Sequence, residues 1–207
     1  MVSTIIRPVE WTVQGRRWST AAVLLVAVTV AGCESSTTIP SDKLSTLVLM
    51  EQDLPAGFAS FDSGPQVRLD NQGTVRSGAS RYGREGGWII RLRRSDQTVT
   101  AGPLVVESRA DLFKDSGGAK SDFGAYRVLF SRTSGGDLKT VAVSGLGEQA
   151  LGITFTQPGG RALRYYRIAW RYRNATASVL VEGFEGELTL NDALSLARKQ
   201  EKRIEGA

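Results

Sequence analysis

Apolar and polar residues alternate along several segments in the second half of the chain. The clearest is 162–173, in which alternate positions hold Tyr166, Ile168, Trp170 and Tyr172. A period of two predicts a strand with one buried face. A similar segment, 176–182, follows after Asn174-Ala175, so the two strands are predicted to form a hairpin.

Shorter runs rich in apolar and β-branched residues predict four more strands. These runs cover residues 88–94, 104–108, 140–143 and 150–156. Residues 59–73 show no period and are predicted to be irregular.

Helical signals occur before, between and after these strands. Ser41 is predicted to cap a short helix, and residues 110–130 are predicted to be helical in part. Thr189, with Asp192 three positions later, has the spacing of a capping box and predicts a C-terminal helix. This order of elements indicates an α+β fold, with a mainly antiparallel sheet and helices packed on one face.

The most apolar run of the chain lies near its start. Residues 21–32 carry no charge and are followed by Cys33, the one cysteine in 207 residues. This run is too short for a permanent membrane span, which needs roughly 20 residues. The basic pair Arg16-Arg17 before the run completes the pattern of a secretory signal peptide.

Two features of this segment leave alternatives open. A twin-arginine signal usually has a large apolar residue two places after the pair, where this chain has Ser19, and general secretion is therefore favoured. The long stretch before Gly15 also admits a start codon further downstream.

The apolar run ends in Val30-Ala31-Gly32-Cys33, which resembles the lipobox of bacterial lipoproteins. The resemblance implies transfer of a diacylglyceryl group to the Cys33 sulfur, cleavage before Cys33 and acylation of the new amino group. Two or more acyl chains would anchor the protein stably in a membrane. The alternative is a buried, inert cysteine beside an apolar run.

We therefore predict three parts for the chain. Residues 1–32 are the signal peptide, 33–42 are the lipidated cysteine with a flexible tether, and 43–207 are one exported domain. The predicted location is the outer face of the bacterial cell membrane, which the covalent lipid contacts.

The exported part also resembles uncharacterised single-domain lipoproteins of actinobacteria and similar bacteria. The resemblance depends on Leu-Pro-Ala-Gly-Phe at 54–58, Ser-Gly-Leu-Gly-Glu at 144–148 and a closing helix that carries arginines. These motifs are loose, so the resemblance implies a class of protein and no activity.

The charge does not indicate a nucleic-acid partner. The chain has a net charge of +5, and removing the three arginines and one glutamate of residues 1–32 leaves +3 for the remainder. A polyanion-binding domain carries a larger, clustered excess of positive charge.

Arginines occupy the positions between the aromatic residues of 162–173. Arg167, Arg171 and Arg173 are predicted to share the face opposite the aromatic residues and form a candidate anion-binding surface. The alternative is a solvated face whose arginines pair with acids such as Glu182. Arg91 and Arg93 repeat the pattern on another predicted strand.

Several kinds of catalytic site are excluded by the residue types. The chain has no histidine, and lipidation would consume its only thiol, so imidazole bases, thiol nucleophiles and ordinary zinc sites are not available. We predict no catalytic, cofactor or metal site. Gly145-Leu146-Gly147 resembles the start of a dinucleotide loop, but the segment after it has a β pattern where that motif needs a helix.

The predicted function is non-catalytic binding of an envelope protein or a small ligand at the cell surface. One alternative is an envelope hydrolase that uses paired carboxylates, for which Glu182, Glu185 and Glu187 are weak candidates. The other is a purely structural component of the envelope.

Overall fold

Seven strands form one sheet in the computed structural model of the protein, which describes residues 38–66, 79–96 and 98–207. The strands are β1 Phe58–Pro65, β2 Arg84–Arg94, β3 Val105–Phe113, β4 Gly136–Val141, β5 Gln149–Gln157, β6 Leu163–Tyr172 and β7 Ala175–Phe184. Their spatial order is β1-β2-β3-β7-β6-β5-β4, and every neighbouring pair is antiparallel. The predicted α+β class and antiparallel sheet are confirmed.

Two α-helices flank the sheet, α1 at Ser116–Ser131 and α2 at Leu190–Glu205. The predicted capping box of α2 is present: the Thr189 hydroxyl accepts from the Asp192 amide at 3.3 Å, and the Asp192 carboxylate accepts from the Thr189 amide at 2.9 Å. Three short 3-10 helices lie at Ser41–Thr46, Glu51–Asp53 and Ala79–Tyr82. The first of these is the predicted short helix, but Pro40 occupies its N-cap position and Ser41 is its first residue. In the described residues, no helix is long and apolar enough to cross a membrane.

Several boundaries differ from the sequence-based expectation. All of β1 after Phe58 lies in the segment predicted to be irregular, because an edge strand that is mostly exposed on both faces has no apolar period. Residues 110–113 belong to β3, and α1 begins only where Asp115 accepts a hydrogen bond from the Gly118 amide at 2.8 Å. The β6–β7 turn is Arg173-Asn174, one residue earlier than predicted.

The two faces of the sheet bury different clusters. On one face, α2 and the N-terminal segment pack over Ile168 and Trp170, which belong to the larger core. On the other face, Tyr126 and Phe130 of α1 pack against Ala169 and the β5 strand. The helices therefore cover opposite faces, which corrects the expected one-sided arrangement. The central strands bury apolar residues on both faces, so each face needs its own cover.

The N-terminal segment is part of this domain. Ile39 is 1% exposed. Its amide donates to Asn174 Oδ1 at 2.8 Å, and its carbonyl accepts from Asn174 Nδ2 at 3.1 Å. The same Nδ2 group donates to the Phe113 carbonyl at 2.8 Å. The ordered domain thus includes Ile39, four residues before the predicted boundary at Lys43.

A buried ion cluster joins β2 to β3. The Asp111 side chain is fully buried and accepts from Arg84 at 2.6 Å and from Arg109 at 2.9 Å. Gly87 lies directly above the cluster, and a Cβ atom there would overlap Arg84 and Asp111. A side chain at position 87 would therefore require the Arg84 guanidinium and the Asp111 carboxylate to move.

A second buried carboxylate connects α2 to the β4–β5 loop. Glu201 is 4% exposed, and its Oε1 accepts from the Gly147 amide at 2.8 Å. Burial raises the pKa of Glu201, and the Gly147 hydrogen bond offsets only part of that rise.

Gly87→Ala should destabilise the fold, because the new methyl group would overlap the Arg84 guanidinium and the Asp111 carboxylate and so disrupt a buried ion pair. We expect a loss of about 3 kcal/mol in the free energy of unfolding, measured by urea denaturation. Gly64→Ala is the matched control in a neighbouring strand, since a Cβ there meets no atom within 4 Å. Equal effects of the two substitutions would contradict the steric role of Gly87.

Glu201→Gln should change the pH dependence of stability. A raised pKa in the folded state means that Glu201 contributes most stability below its unfolded pKa and loses it as the pH rises through the folded pKa. The free energy of unfolding of the variant, measured from pH 4 to 7, should therefore improve relative to wild type as the pH rises. Ser195→Ala on α2 changes no titrating group and should follow the wild-type profile. A wild-type advantage that grows with pH would refute the buried carboxylate's role.

Candidate functional site

Helix α1 packs across β6 and leaves a cleft on each side of its C-terminal half. Phe130, 5% exposed, lines both clefts. Tyr126 packs edge-on against Phe130 with ring centroids 5.9 Å apart. This contact fixes the Phe130 ring, which forms the wall between the two clefts.

The first cleft, called the charged cleft below, lies between α1 and strands β3, β7 and β6. It has a volume of about 110 Å³, and its lining includes Glu107, Arg109, Tyr126, Phe130, Arg167 and Ser178. Strand register explains the grouping. Leu180 is paired with Glu107 on one side and Arg167 on the other, and Ser178 is paired with Arg109. With strands about 4.8 Å apart, these side chains project from one face in two adjacent rows.

The charges of this cleft are not equally available to a ligand. Glu107 is bound by Arg91 at 2.7 Å, and Arg109 by Asp111 at 2.9 Å. Arg167 has no carboxylate within 4 Å among the described residues, and its guanidinium lies 5.7 Å from the Phe155 ring centroid. Arg167 is therefore the cation of this cleft that is placed to meet an anion.

Hydroxyl groups of the charged cleft are already engaged. The Tyr126 hydroxyl donates to Ser178 Oγ at 3.1 Å, which joins α1 to β7 above the cleft floor.

Tyr165 lies on the same face of β6 as Arg167. Burial raises the pKa of Tyr165 to about 12, with Glu182 adding to the rise. Tyr165 is stacked on Phe155 at 4.9 Å and stays protonated at neutral pH.

The second cleft, called the apolar groove below, lies between α1 and strands β5 and β4. Its volume is about 390 Å³. Its lining includes Phe130, Leu138, Leu151 and Ile153, with Arg127 and Lys139 at the rim.

The structure separates the three arginines of the predicted anion-binding surface. Arg167 lines the charged cleft, whereas Arg171 is ion-paired with Glu148 at 2.6 Å and donates to Gln149 at 2.9 Å. Arg173 lies in the hairpin turn with φ +50°, and its guanidinium lies over the Tyr172 ring.

The other residues singled out in the sequence have structural partners or fall outside the described part. Glu185 pairs with Arg164 at 2.5 Å, and Glu187 pairs with Arg161 at 3.5 Å. The predicted lipobox lies outside the described residues: Val30, Ala31, Gly32 and Cys33.

The glycine motif at 145–150 leads into a strand. Gly145 and Gly147 have φ of +71° and +47°, and β5 begins at Gln149 where a dinucleotide loop would need a helix. In the described part of the chain, no group of acidic or thiol side chains is arranged to hold a metal ion.

Sequence reasoning missed the β3 side of the charged cleft. The predicted strand ended at Ser108, which left out Arg109, and the face that Glu107 shares with Arg109 was therefore not apparent. The alternation of charged and small residues in Glu107-Ser108-Arg109-Ala110-Asp111 is the strand signal that would have found them.

No family model matches the chain, and no curated protein sequence matches it. A solved structure of similar fold is the extracellular domain of PknH from Mycobacterium tuberculosis, with a TM-score of 0.62 and 12% sequence identity. The alignment covers 83% of this chain and 100% of that one. At this identity the likeness shows a shared fold.

Proposed function

We propose that the protein is an exported, lipid-anchored domain that binds a small anionic ligand in the charged cleft and catalyses no reaction. The binding proposal depends on Arg167. This cation lines the cleft, and none of the described carboxylates lies within ion-pair distance of its guanidinium. An anionic group that enters the cleft would supply the missing partner through charge-assisted hydrogen bonds.

Two independent features support export and anchoring. The Val30-Ala31-Gly32-Cys33 sequence has the pattern of a lipobox. The fold is similar to that of an extracellular domain in another bacterial protein. Each feature concerns a different part of the chain, so their agreement favours a domain that works outside the cytoplasm.

The packing of Ile39 sets how far the domain can move from its proposed anchor. Six peptide units separate Cys33 from Ile39, and an extended chain of that length spans at most about 20 Å. An anchored domain would therefore stay close to the membrane surface, with the N-terminal end of its core nearest the lipid.

The charged cleft supports binding better than glycan hydrolysis. Glycosidases place two carboxyl groups on either side of the scissile bond. Among the described residues that line this cleft, Glu107 is the single carboxylate, and Arg91 neutralises it. In the described part of the chain, the Ser178 hydroxyl accepts from Tyr126 and is not hydrogen-bonded to Glu107, whose carboxylate accepts from Arg91.

Lipidation is tested by expressing the full chain in a bacterium that makes lipoproteins, with labelled palmitate in the medium. Wild type should incorporate the label and give an acylated peptide that starts at Cys33 in mass spectrometry. Cys33→Ser should incorporate none, and Ser35→Ala should behave as wild type. An N-terminus elsewhere, or label that persists in Cys33→Ser, would refute the anchor.

Anion binding is tested by titration of the protein with inorganic phosphate and with succinate, observed by NMR at the Leu180 and Ser178 amides. We expect Arg167→Gln to weaken binding about tenfold, the value of one charge-assisted hydrogen bond. Arg173→Gln is the matched control, because Arg173 lies in the hairpin turn. Affinity that depends equally on both arginines, or on neither, would contradict the proposed role of the cleft.

A further inference from the structure

We propose that the apolar groove beside α1 is a second binding site, and that its ligand is a free fatty acid. The acyl chain lies along the groove floor, and the carboxylate is directed to the cations at the rim. This site is separate from the charged cleft and does not depend on the function proposed for it.

The floor of the groove is apolar sheet that α1 does not cover. Leu151 and Ile153 point to the α1 side of β5, where Phe130 forms one wall and Leu138 the other. Leu138 is a large hydrophobic side chain that is 40% exposed, although most such side chains in the described residues are buried. Burial of this surface by an apolar ligand is favourable.

The rim carries positive charge and the lining contains no acid. The Arg127 guanidinium lies 5.5 Å from the centre of the Phe123 ring, without a carboxylate partner within 4 Å in the described chain. Lys139 has only a loose pairing with Asp137, at 3.9 Å, and both side chains are more than half exposed. Such a pair is weak in water, so the ammonium is available to a carboxylate.

The size of the groove matches a small amphiphile. A volume of about 390 Å³ lies within the range of small-molecule sites. The adjacent edge strand also disfavours a partner strand. The β4–β5 register shifts between Gly136 and Lys139, and Asp137 has φ +51°. Bulges and charged side chains of this kind block edge-to-edge pairing.

The first test is a chain-length series. Octanoate, decanoate and dodecanoate are titrated into the protein below their micelle concentrations, and the dissociation constants are measured by calorimetry. Each methylene that enters the groove should tighten binding about fourfold. Dodecanol, which has the same tail without the charge, should bind more weakly than dodecanoate. Affinity that does not change with chain length would overturn the proposal.

The second test uses variants on the exposed surface of the groove. Leu138→Asp should abolish detectable dodecanoate binding, and Arg127→Gln with Lys139→Gln should weaken dodecanoate while leaving dodecanol unchanged. Val99→Asp is the matched control, because Val99 is equally exposed at 41% and lies outside the groove. Loss of binding in Val99→Asp as well, or its retention in Leu138→Asp, would refute the site.

The third test separates a free fatty acid from the membrane surface as the source of the acyl chain. A dansyl-labelled undecanoate bound to the protein should be displaced by dodecanoate. The Cys33→Ser protein should sediment with phosphatidylglycerol vesicles no more than the same protein carrying Leu138→Asp. Sedimentation that depends on Leu138 would show that the groove contacts a lipid surface and would overturn the assignment. Arg167→Gln should leave the displacement by dodecanoate unchanged, since Arg167 belongs to the other cleft.

Discussion

The arrangement of the sheet depends on Asp111, a carboxylate with no solvent exposure that is held between two arginines. A buried charge must keep its partners, so the register of β2 and β3 is fixed to within the reach of one side chain. The cluster also extends across the sheet, because the Arg109 carbonyl accepts from Gln200 of α2 at 2.9 Å. Arg109 thereby links the helix on one face to the cleft on the other.

The alternation in β6 gives the two faces different roles. Ile168 and Trp170 are fully buried under α2 and hold the domain together. Arg167 points the other way, into a cleft that α1 leaves partly open. Since consecutive side chains must point to opposite faces of a strand, a stable core and an accessible binding face are obtained from one segment. A one-residue change in the register of β6 would exchange its two faces, so the buried core and the binding face would both be lost.

Local patterns were sufficient to predict most strands and the capping box of α2. They failed where the signal is not local. Strand β1 is recognisable only through its pairing with β2, and the covering of each sheet face depends on where the chain returns after β3. Arg171 differs from Arg167 for the same reason. Its ion-pair partner, Glu148, lies in the loop before β5, which the pattern within β6 does not reveal. Pairing across strands is set by the fold as a whole.

The hydrogen bonds between Ile39 and Asn174 have a mechanical consequence. If the chain is held at Cys33, tension on the linker reaches the fold first at the β6–β7 turn. These are central strands, each paired along its length with two neighbours. A pull on the anchor would thus be shared by the best-supported part of the sheet, and the exposed edge strands would carry little of the load.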